Sequence, residues 1–399
     1  MTKVCVVGGG TAGLQAAAEA SRLGSDVTVV EKEEPPDLPW RDLPDLIRPL
    51  YGSPRPPPAP PRSAAVRVLT SGVTSCEAGL VRTSGGDERC DRVVLATGSA
   101  FEPPTFRGSW KPGVYLLDSQ RSYHDLGRDS GPLERAVVAG EGGRSLEVAD
   151  RLAGGRSIVV VISHWQGGRP SRPVFDAISE AAKERRISIT SGVLTDAVGT
   201  GRVEAAVVEG AVLPCDSVVF VPRRLPRVPA TGASLGRTGA VLVGRNLAAG
   251  VPGTFAAGGC AEVEGVGPPS TLAGEPSSSG RIAGANCLGG GLSLGPTWSA
   301  ESLLFGLRWV RTKSRQTGAR RPCDRAAVRR TGKGAACEIV YDRQSGRVNE
   351  IEFITAISSR VACEVPPSPD LNLRALAYGG TGSSDISLVS ETARLGLVR

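Results

Sequence analysis

The sequence predicts an α/β protein with two doubly wound parallel-sheet domains and a smaller α+β domain at the C-terminal end. Three observations carry that prediction. A strand, a glycine turn, a helix and a second strand follow one another over residues 4–31. The same series returns about 130 residues later, and beyond Gly289–Gly291 the texture changes to alternating strand and helix signals. At 399 residues the chain exceeds a single domain, since one domain holds roughly 100 to 200 residues.

Val4-Cys5-Val6-Val7 is a short apolar run of the kind a strand buried on both faces shows, and Gly8-Gly9-Gly10-Thr11-Ala12-Gly13 follows it at once. Leu14 to Leu23 is alanine-rich with helical spacing, Gly24 supplies a stop, and Asp26 to Glu31 forms the next strand. This is a βαβ unit. The proline-rich run from Pro54 to Pro61 excludes helix and central strand, so residues 35–62 form a surface excursion or an ordered connector. Strand signals resume at Ala65–Thr70 and Arg92–Ala96. The second series sets the strand Arg135–Ala139 before the turn Gly140-Glu141-Gly142-Gly143-Arg144-Ser145, with a helix over Leu146–Leu152 and a strand over Ser157–Ile162. Further strands are expected at Ile187–Thr190, Val203–Val208, Ser217–Val221, Val241–Val243 and Thr254–Ala257. The N-terminal part of a helix is expected from Ser277 to Gly284. After a boundary near Pro296, Cys337–Tyr341 and Ile351–Ile354 read as strands.

Composition excludes several classes of protein. Glycine is 52 of 399 residues, about 13% against a usual 7%, yet it follows no three-residue period and the prolines are clustered, which excludes collagen and wholesale disorder. Aromatics at 4% are too scarce for a base-stacking single-strand binder or an aromatic-belted membrane protein. No stretch reaches the ~18 apolar residues of a membrane span, and the N-terminus enters a strand without a basic region or cleavage site; no membrane association and a cytoplasmic location are expected. Nine cysteines with no CxxC pair do not form a disulfide framework, and two histidines, His124 and His164, exclude a histidine-rich metal site. Both histidines read as surface or interface residues. The net charge of +7 is concentrated between Arg308 and Lys333, where ten basic residues face one acid, Asp324. That run either attracts a polyanion such as nucleic acid or forms a solvated helix and loop, and the solvated reading is preferred because Trp298 and Trp309 point to partial packing.

The strongest chemical signal is Gly8-x-Gly10-x-x-Gly13 with Glu31, a Rossmann-like fingerprint. Its first glycine permits a tight turn, its second lets backbone approach a pyrophosphate, and its third lets helix pack on strand. The helix N-terminus then receives the negative charge, and Glu31 ends the second strand where an acid accepts hydrogen bonds from a ribose diol. In the second turn Gly140 and Gly142 fit, but Ser145 holds the third position and the following strand ends in Ser163 rather than an acid. An NADP-type site would want an arginine nearby, and His164 is a poor substitute. Two readings stay open there: a nicotinamide-dinucleotide turn with Gly140, Gly142, Ser145 and Glu147 as its candidate residues, or a retained fold whose site is impaired or empty.

The order of the first turn, Val93-Val94-Leu95-Ala96-Thr97-Gly98-Ser99 and the second turn resembles the FAD-dependent pyridine nucleotide-disulfide oxidoreductases. Val251-Pro252-Gly253-Thr254-Phe255-Ala256-Ala257-Gly258-Gly259-Cys260-Ala261 is similar to the family's second FAD signature, and Gly280 to Asn286 to the helix that follows it. The likeness is greatest to the NADH oxidase, NADH peroxidase and coenzyme A-disulfide reductase branch, whose dimerisation domain ends much as Ala375-Leu376-Ala377-Tyr378 and Val389 to Leu395 do. The resemblance implies FAD held by Gly8, Gly10, Gly13 and Glu31, flanked by Thr11, Ala12 and Lys32, with Thr97 and Gly98 beside the adenine half. Gly259, next to Cys260, falls where the family has an FAD-bonding aspartate; a lost charge-assisted hydrogen bond of this kind forgoes about 1.5 to 3 kcal/mol. Arg41 starts the stretch Arg41-Asp42-Leu43-Pro44, which matches the segment carrying the branch's redox cysteine, and no cysteine occurs between Cys5 and Cys76. Thr11 replaces the peroxidase-type histidine. Cys5 and Cys260 read as small buried hydrophobes, and Tyr378, the one catalytic candidate, reads more readily as a buried hydrogen-bonded tyrosine.

The domains implied are an FAD-binding domain of residues 1–118 and 244–295, an NAD(P)-binding-like domain of 119–243, and an interface domain of 296–399 that forms a homodimer. The function implied is a FAD-dependent NAD(P)H oxidoreductase, with NADH or NADPH as donor, that passes electrons through flavin to oxygen or another small-molecule acceptor without a redox-active cysteine. The alternative is a catalytically impaired flavoprotein homologue acting as a binding or structural subunit.

Overall fold

Each glycine turn lies at the end of the central strand of a five-stranded parallel sheet. The computed structural model describes residues 1–32, 66–77, 79–118, 120–129, 134–165, 168–264, 275–295, 297–314, 324–331, 335–342, 344–345 and 347–356. In the first unit the strand order is Thr254–Ala256, Arg92–Leu95, Lys3–Val7, Asp26–Glu31, Val66–Thr70. Every neighbouring pair in that order is parallel. In the second unit the order is Ile187–Ser191, Ser157–His164, Arg135–Glu141, Ser217–Val221, Val114–Leu116, again parallel throughout. Val4 to Val7 in one central strand and Ala136 to Ala139 in the other are buried without interruption, which is what a strand covered by elements on both faces requires.

Helices connect these strands. Thr11–Arg22 follows the first turn, starting three residues before the expected helix because Gly10 already acts as its N-cap. Gly142–Leu152 follows the second. The helix Arg172–Glu184 has no counterpart among the sequence expectations, although Val174, Ala177, Ile178 and Ala182 keep helical spacing and Pro173 marks its first turn. Three antiparallel strands, Val73–Glu77, Leu80–Thr83 and Gly86–Arg89, interrupt the first unit, and Leu194–Val198, Ala205–Val208 and Ala211–Pro214 interrupt the second.

The first unit gathers its described residues from 1–101 and 224–295, the second from 102–223 and 296–356. These limits differ from the expected boundaries at 118 and 243. Val114–Leu116 is bonded to Ser217–Val221 and so belongs to the second sheet, while Arg224–Pro226 pairs with Ser99–Phe101 and so belongs to the first unit. The region expected as an α+β domain is, among its described residues, an antiparallel sheet in the order Thr297–Leu304, Leu307–Ser314, Val348–Ala356, Ala335–Asp342, Asp324–Thr331. The basic run is corrected by the same sheet: residues 308–314 and 324–331 are strands rather than a solvated helix. Trp309 is indeed packed, its indole N–H donating to Glu352 at 2.8 Å.

Glycine sets how closely the first unit's helices approach. A Cβ on Gly280 would lie 2.1 Å from the carbonyl oxygen of Ala12, and one on Gly284 2.4 Å from that of Ala16, so helix Glu275–Asn286 rests directly on the backbone of Thr11–Arg22. In the second unit, Glu147 on helix Gly142–Leu152 turns toward Ser302, which donates a hydrogen bond to it. Burial pushes its carboxyl up to about 7 against the downward pull of Ser302 and Arg144. Glu352 accepts from the Ser171 N–H at 2.8 Å as well as from Trp309, and burial raises its carboxyl too.

Two outcomes follow for stability. Gly280→Ala destabilises the protein by roughly 1 to 3 kcal/mol in urea unfolding, as overpacking does, whereas Gly232→Ala, where a Cβ meets open space, stays within about 0.5 kcal/mol of wild type. A raised carboxyl pKa means that the folded state holds the proton more tightly, so the contribution of Glu147 is fully present below the ordinary carboxylate pKa of 4.5 and is lost as pH rises through about 7. Glu147→Gln keeps the hydrogen bond without the ionisation. Its urea midpoint falls less than that of wild type between about pH 5 and about pH 7.5.

Candidate functional site

The first turn is shaped by approaches that only glycine allows. Gly8 has φ +108°, and a Cβ there would lie 2.4 Å from the carbonyl oxygen of Ala96, at the end of the neighbouring strand. A Cβ on Gly13 would lie 1.8 Å from the carbonyl oxygen of Gly8, so the third glycine lets the helix sit on the turn. Gly10 is different. It is exposed, meets nothing within 4 Å, and caps the helix without a side-chain hydrogen bond, and the helix's first turn carries no acid. Among the described residues, the positive end of Thr11–Arg22 is therefore neither capped by a side chain nor covered above its N-cap, and Thr11 is exposed beside it while Ala12 is buried.

Glu31 lies at the rim of this turn. Its Oε2 accepts the Gly9 N–H at 2.6 Å and its Oε1 the Lys32 N–H at 2.8 Å, so the carboxylate is fixed beside the turn at the end of the adjoining strand. Lys32 is exposed. Thr97 donates its hydroxyl to the Arg227 carbonyl, and the Gly98 carbonyl accepts the Arg227 N–H at 3.0 Å, which pins the Thr97-Gly98 turn to the returning segment of the same unit. Gly98 has φ +69°. Gly259 is half-buried, and a Cβ there would meet Ser99 Oγ at 3.4 Å and the Gly98 carbonyl carbon at 3.5 Å, ordinary contacts that leave room for a side chain. Cys260 is fully buried and its thiol donates to the backbone oxygens of Leu95 and Ala257, so sulfur is turned into the core. The structure thus brings Gly8, Gly10, Thr11, Ala12, Gly13, Glu31, Lys32, Thr97, Gly98 and Gly259 into one unit, and Arg41 and Tyr378 lie outside the described residues.

These residues fit a dinucleotide of the FAD type. An uncapped helix N-terminus under an open glycine accepts a pyrophosphate, and a fixed carboxylate at the next strand end accepts a ribose diol.

The second turn repeats the path but fills the space. Gly140, with φ +134°, approaches the Val221 carbonyl so closely that a Cβ would lie 2.0 Å from it. Glu141 is buried, and its carboxylate accepts the N–H groups of Gly143 at 3.2 Å and Arg144 at 2.9 Å, the first free donors of helix Gly142–Leu152. Over Gly142 stands the indole of Trp165, where a Cβ on the glycine would lie 2.5 Å from Trp165 Cε3. Trp165 is itself held edge-on by Phe175, with centroids 6.2 Å apart, and Phe175 carries Arg169 on its ring at 5.0 Å. Ser145 is buried with a hydroxyl that has no hydrogen-bond partner among the described residues. Ser163 donates to the Gly140 carbonyl at 3.1 Å and lies 3.0 Å from His164 Nδ1. Burial lowers the His164 pKa, which favours the neutral ring. Glu147, the fourth candidate residue of this turn, accepts a hydrogen bond from Ser302. As it stands, the turn does not fit a pyrophosphate.

Sequence reasoning missed Glu141 and Trp165 as site residues. An acid between the first two glycines was visible in the sequence, but the packing of an indole 23 positions away on Gly142 had no local signal.

Comparison with known proteins supplies the family. The chain is 30% identical to the bilirubin reductase of Mediterraneibacter gnavus (strain CC55_001C) over 235 residues, which is 57% of this chain and 34% of that protein. It is 26% identical to the NAD(P)H coenzyme A polysulfide/persulfide reductase of Pyrococcus horikoshii over 291 residues, 65% of this chain and 63% of that protein. The chain therefore spans about a third and less than two thirds, respectively, of these relatives. Among solved structures, the water-forming NADH oxidase from Lactobacillus brevis shares the fold with a TM-score of 0.81 at 16% identity, covering 100% of this chain and 98% of that one. The NAD-dependent persulfide reductase from A. fulgidus does so with a TM-score of 0.79 at 19% identity, covering 99% and 83%. A match over residues 2–279, which takes in both glycine turns and the returning strand Thr254–Ala256, makes the chain a member of the pyridine nucleotide-disulphide oxidoreductase family, which uses FAD with NADH or NADPH.

Proposed function

We propose that this protein is a FAD-dependent NAD(P)H oxidoreductase that delivers electrons to oxygen or another small-molecule acceptor without a redox-active cysteine. The observation that carries the proposal is the uncapped helix N-terminus beneath an open Gly10, with Glu31 fixed at its rim. FAD, when bound, supplies the hydride-accepting chemistry. The chain's own part is to bind and orient: Gly8 and Gly13 bring backbone and helix together, the helix N-terminus receives the pyrophosphate, Glu31 holds the ribose, and the Thr97-Gly98 turn walls the adenine half.

The thiols support the cysteine-free route. Burial pushes Cys76 up to about 12 and raises Cys260 as well. Cys5 keeps its proton in a hydrogen bond to Cys90 and by burial, and the same bond lowers Cys90. Cys90 precedes strand Arg92–Leu95 while the glycine turn approaches Ala96 beyond its other end, roughly 20 Å away at strand rise. A thiolate so far from the turn does not serve it.

A second reading is favoured by specific observations, namely the filled second turn and the missing acid at Gly259. In that reading the protein is a catalytically impaired flavoprotein homologue with a binding or structural role. A cytoplasmic location and a homodimer joined through the C-terminal domain belong to the proposal, and light scattering at two concentrations checks the dimer.

Purified protein carries a visible flavin spectrum that NADH or NADPH bleaches without oxygen. Flavin that neither coenzyme reduces overturns the oxidoreductase and leaves the binding role, while no flavin after reconstitution with excess FAD overturns the cofactor assignment. Because the space at Gly259 admits a side chain, Gly259→Asp lowers the FAD dissociation constant about ten- to a hundredfold in equilibrium titration.

A further inference from the structure

The two turns differ in what satisfies the helix N-terminus. Around Gly10 the donors have no side-chain cap among the described residues, whereas Glu141 places a buried carboxylate on the N–H groups of Gly143 and Arg144. A helix N-terminus attracts one negative group. A pyrophosphate arriving there meets a carboxylate already hydrogen-bonded in its place, and the two anions repel. The glycine that would let it approach is covered as well. Trp165 packs on Gly142 so closely that not even a methyl group fits between them, and Phe175 backs the indole from its edge.

We propose that Glu141 and Trp165 form a closure over the second nucleotide turn, and that a nicotinamide dinucleotide occupies this turn only by displacing both. They are thus determinants of coenzyme affinity: the carboxylate competes for the donors and the indole for the volume. The closure rests on the reading that the protein takes electrons from NADH or NADPH. Its elements are local to one unit: the turn, the end of strand Ser157–His164 and the start of helix Arg172–Glu184. Removing the acid leaves a backbone path of the same kind as the first turn, with Gly140 still in place.

The test is equilibrium binding of ADP-ribose, which carries the pyrophosphate and cannot be oxidised or reduced, to the full-length flavoprotein. Glu141→Ala and Trp165→Ala each bind at least about tenfold more tightly than wild type, and the double variant more tightly than either. Glu141→Gln, which loses the charge and keeps an acceptor, falls between Glu141→Ala and wild type. Unchanged or weaker binding in both alanine variants, with the flavin spectrum retained, overturns the closure. Should the variants not fold, the wild type still decides. With 5-fluorotryptophan incorporated and the Trp165 resonance assigned through Trp165→Phe, saturating ADP-ribose shifts that resonance if the indole is displaced. An unmoved resonance at saturation, or no binding at millimolar ADP-ribose in any folded variant, overturns it. Flavin content, read in the same samples, reports separately on the proposed function, so its loss does not count for or against the closure.

Discussion

Backbone must lie on backbone for the first unit to exist in this form. The carbonyl of Gly8 fills the position a Cβ on Gly13 would take, the carbonyl of Ala12 that of a Cβ on Gly280, and the carbonyl of Ala16 that of a Cβ on Gly284. One helix, Thr11–Arg22, is therefore clamped between the turn on one side and helix Glu275–Asn286 on the other, with glycine at each contact. Its alanines follow from the same constraint, since Ala12, Ala16, Ala17 and Ala20 are buried where larger side chains would push the layers apart. That clamping aims the helix N-terminus at the end of the central strand, so the position of its free donors is a consequence of how the core packs.

The same topology gives a different site when two side chains change. Both units put the glycine turn after the middle strand of five, and both need the first glycine for its approach to the next strand end, Ala96 in one and Val221 in the other. At the third position they part. Ser145 is tolerated where the first unit has no room for a Cβ, and the second helix begins at Gly142 with Glu141 as its cap, so the glycine-rich stretch becomes an ordinary capped helix start. A carboxylate there stabilises the helix for the reason that a pyrophosphate would bind: both satisfy the same donors. Folding stability and coenzyme affinity compete for one pair of N–H groups.

This competition explains what the sequence could and could not reveal. The parallel strands and the first turn were legible because their determinants are local: apolar runs, glycine spacing and an acid one strand later. Helix Arg172–Glu184 had the spacing of a helix but followed a glycine- and proline-containing segment that reads as loop. The basic run between Arg308 and Lys333 read as solvated because charge dominates its composition. In a strand, however, alternation lets Val310 and Thr312 be buried on one face while Arg311 between them turns to the other, where it pairs with Glu350 at 2.5 Å. Domain limits at 118 and 243 moved because short strands, Val114–Leu116 and Arg224–Pro226, carry too few residues to signal which sheet they join. Trp165 on Gly142 was beyond reach for a different reason, since a contact over that separation depends on where the strand end and the next helix place the ring.

The cysteines complete the physical account of the site. Thiol-disulfide chemistry needs a thiolate with low pKa beside the flavin face, and such a thiolate forms near positive charge and water. Apart from Cys90, whose thiol the bond to Cys5 lowers, the described cysteines of the first unit have the opposite surroundings. Cys5, Cys76 and Cys260 are buried among apolar side chains; a hydrogen bond to Cys90 also keeps the proton on Cys5, and around Cys260 burial outweighs the hydrogen bonds that pull the other way. Cys287 lies near Arg92, but burial outweighs that charge and pushes its thiol up to about 11. Each of these sulfurs is therefore a packing atom, as a small hydrophobe is. At the first turn the described polar groups are backbone N–H groups and Glu31, groups suited to holding a charged dinucleotide and not to exchanging electrons with it.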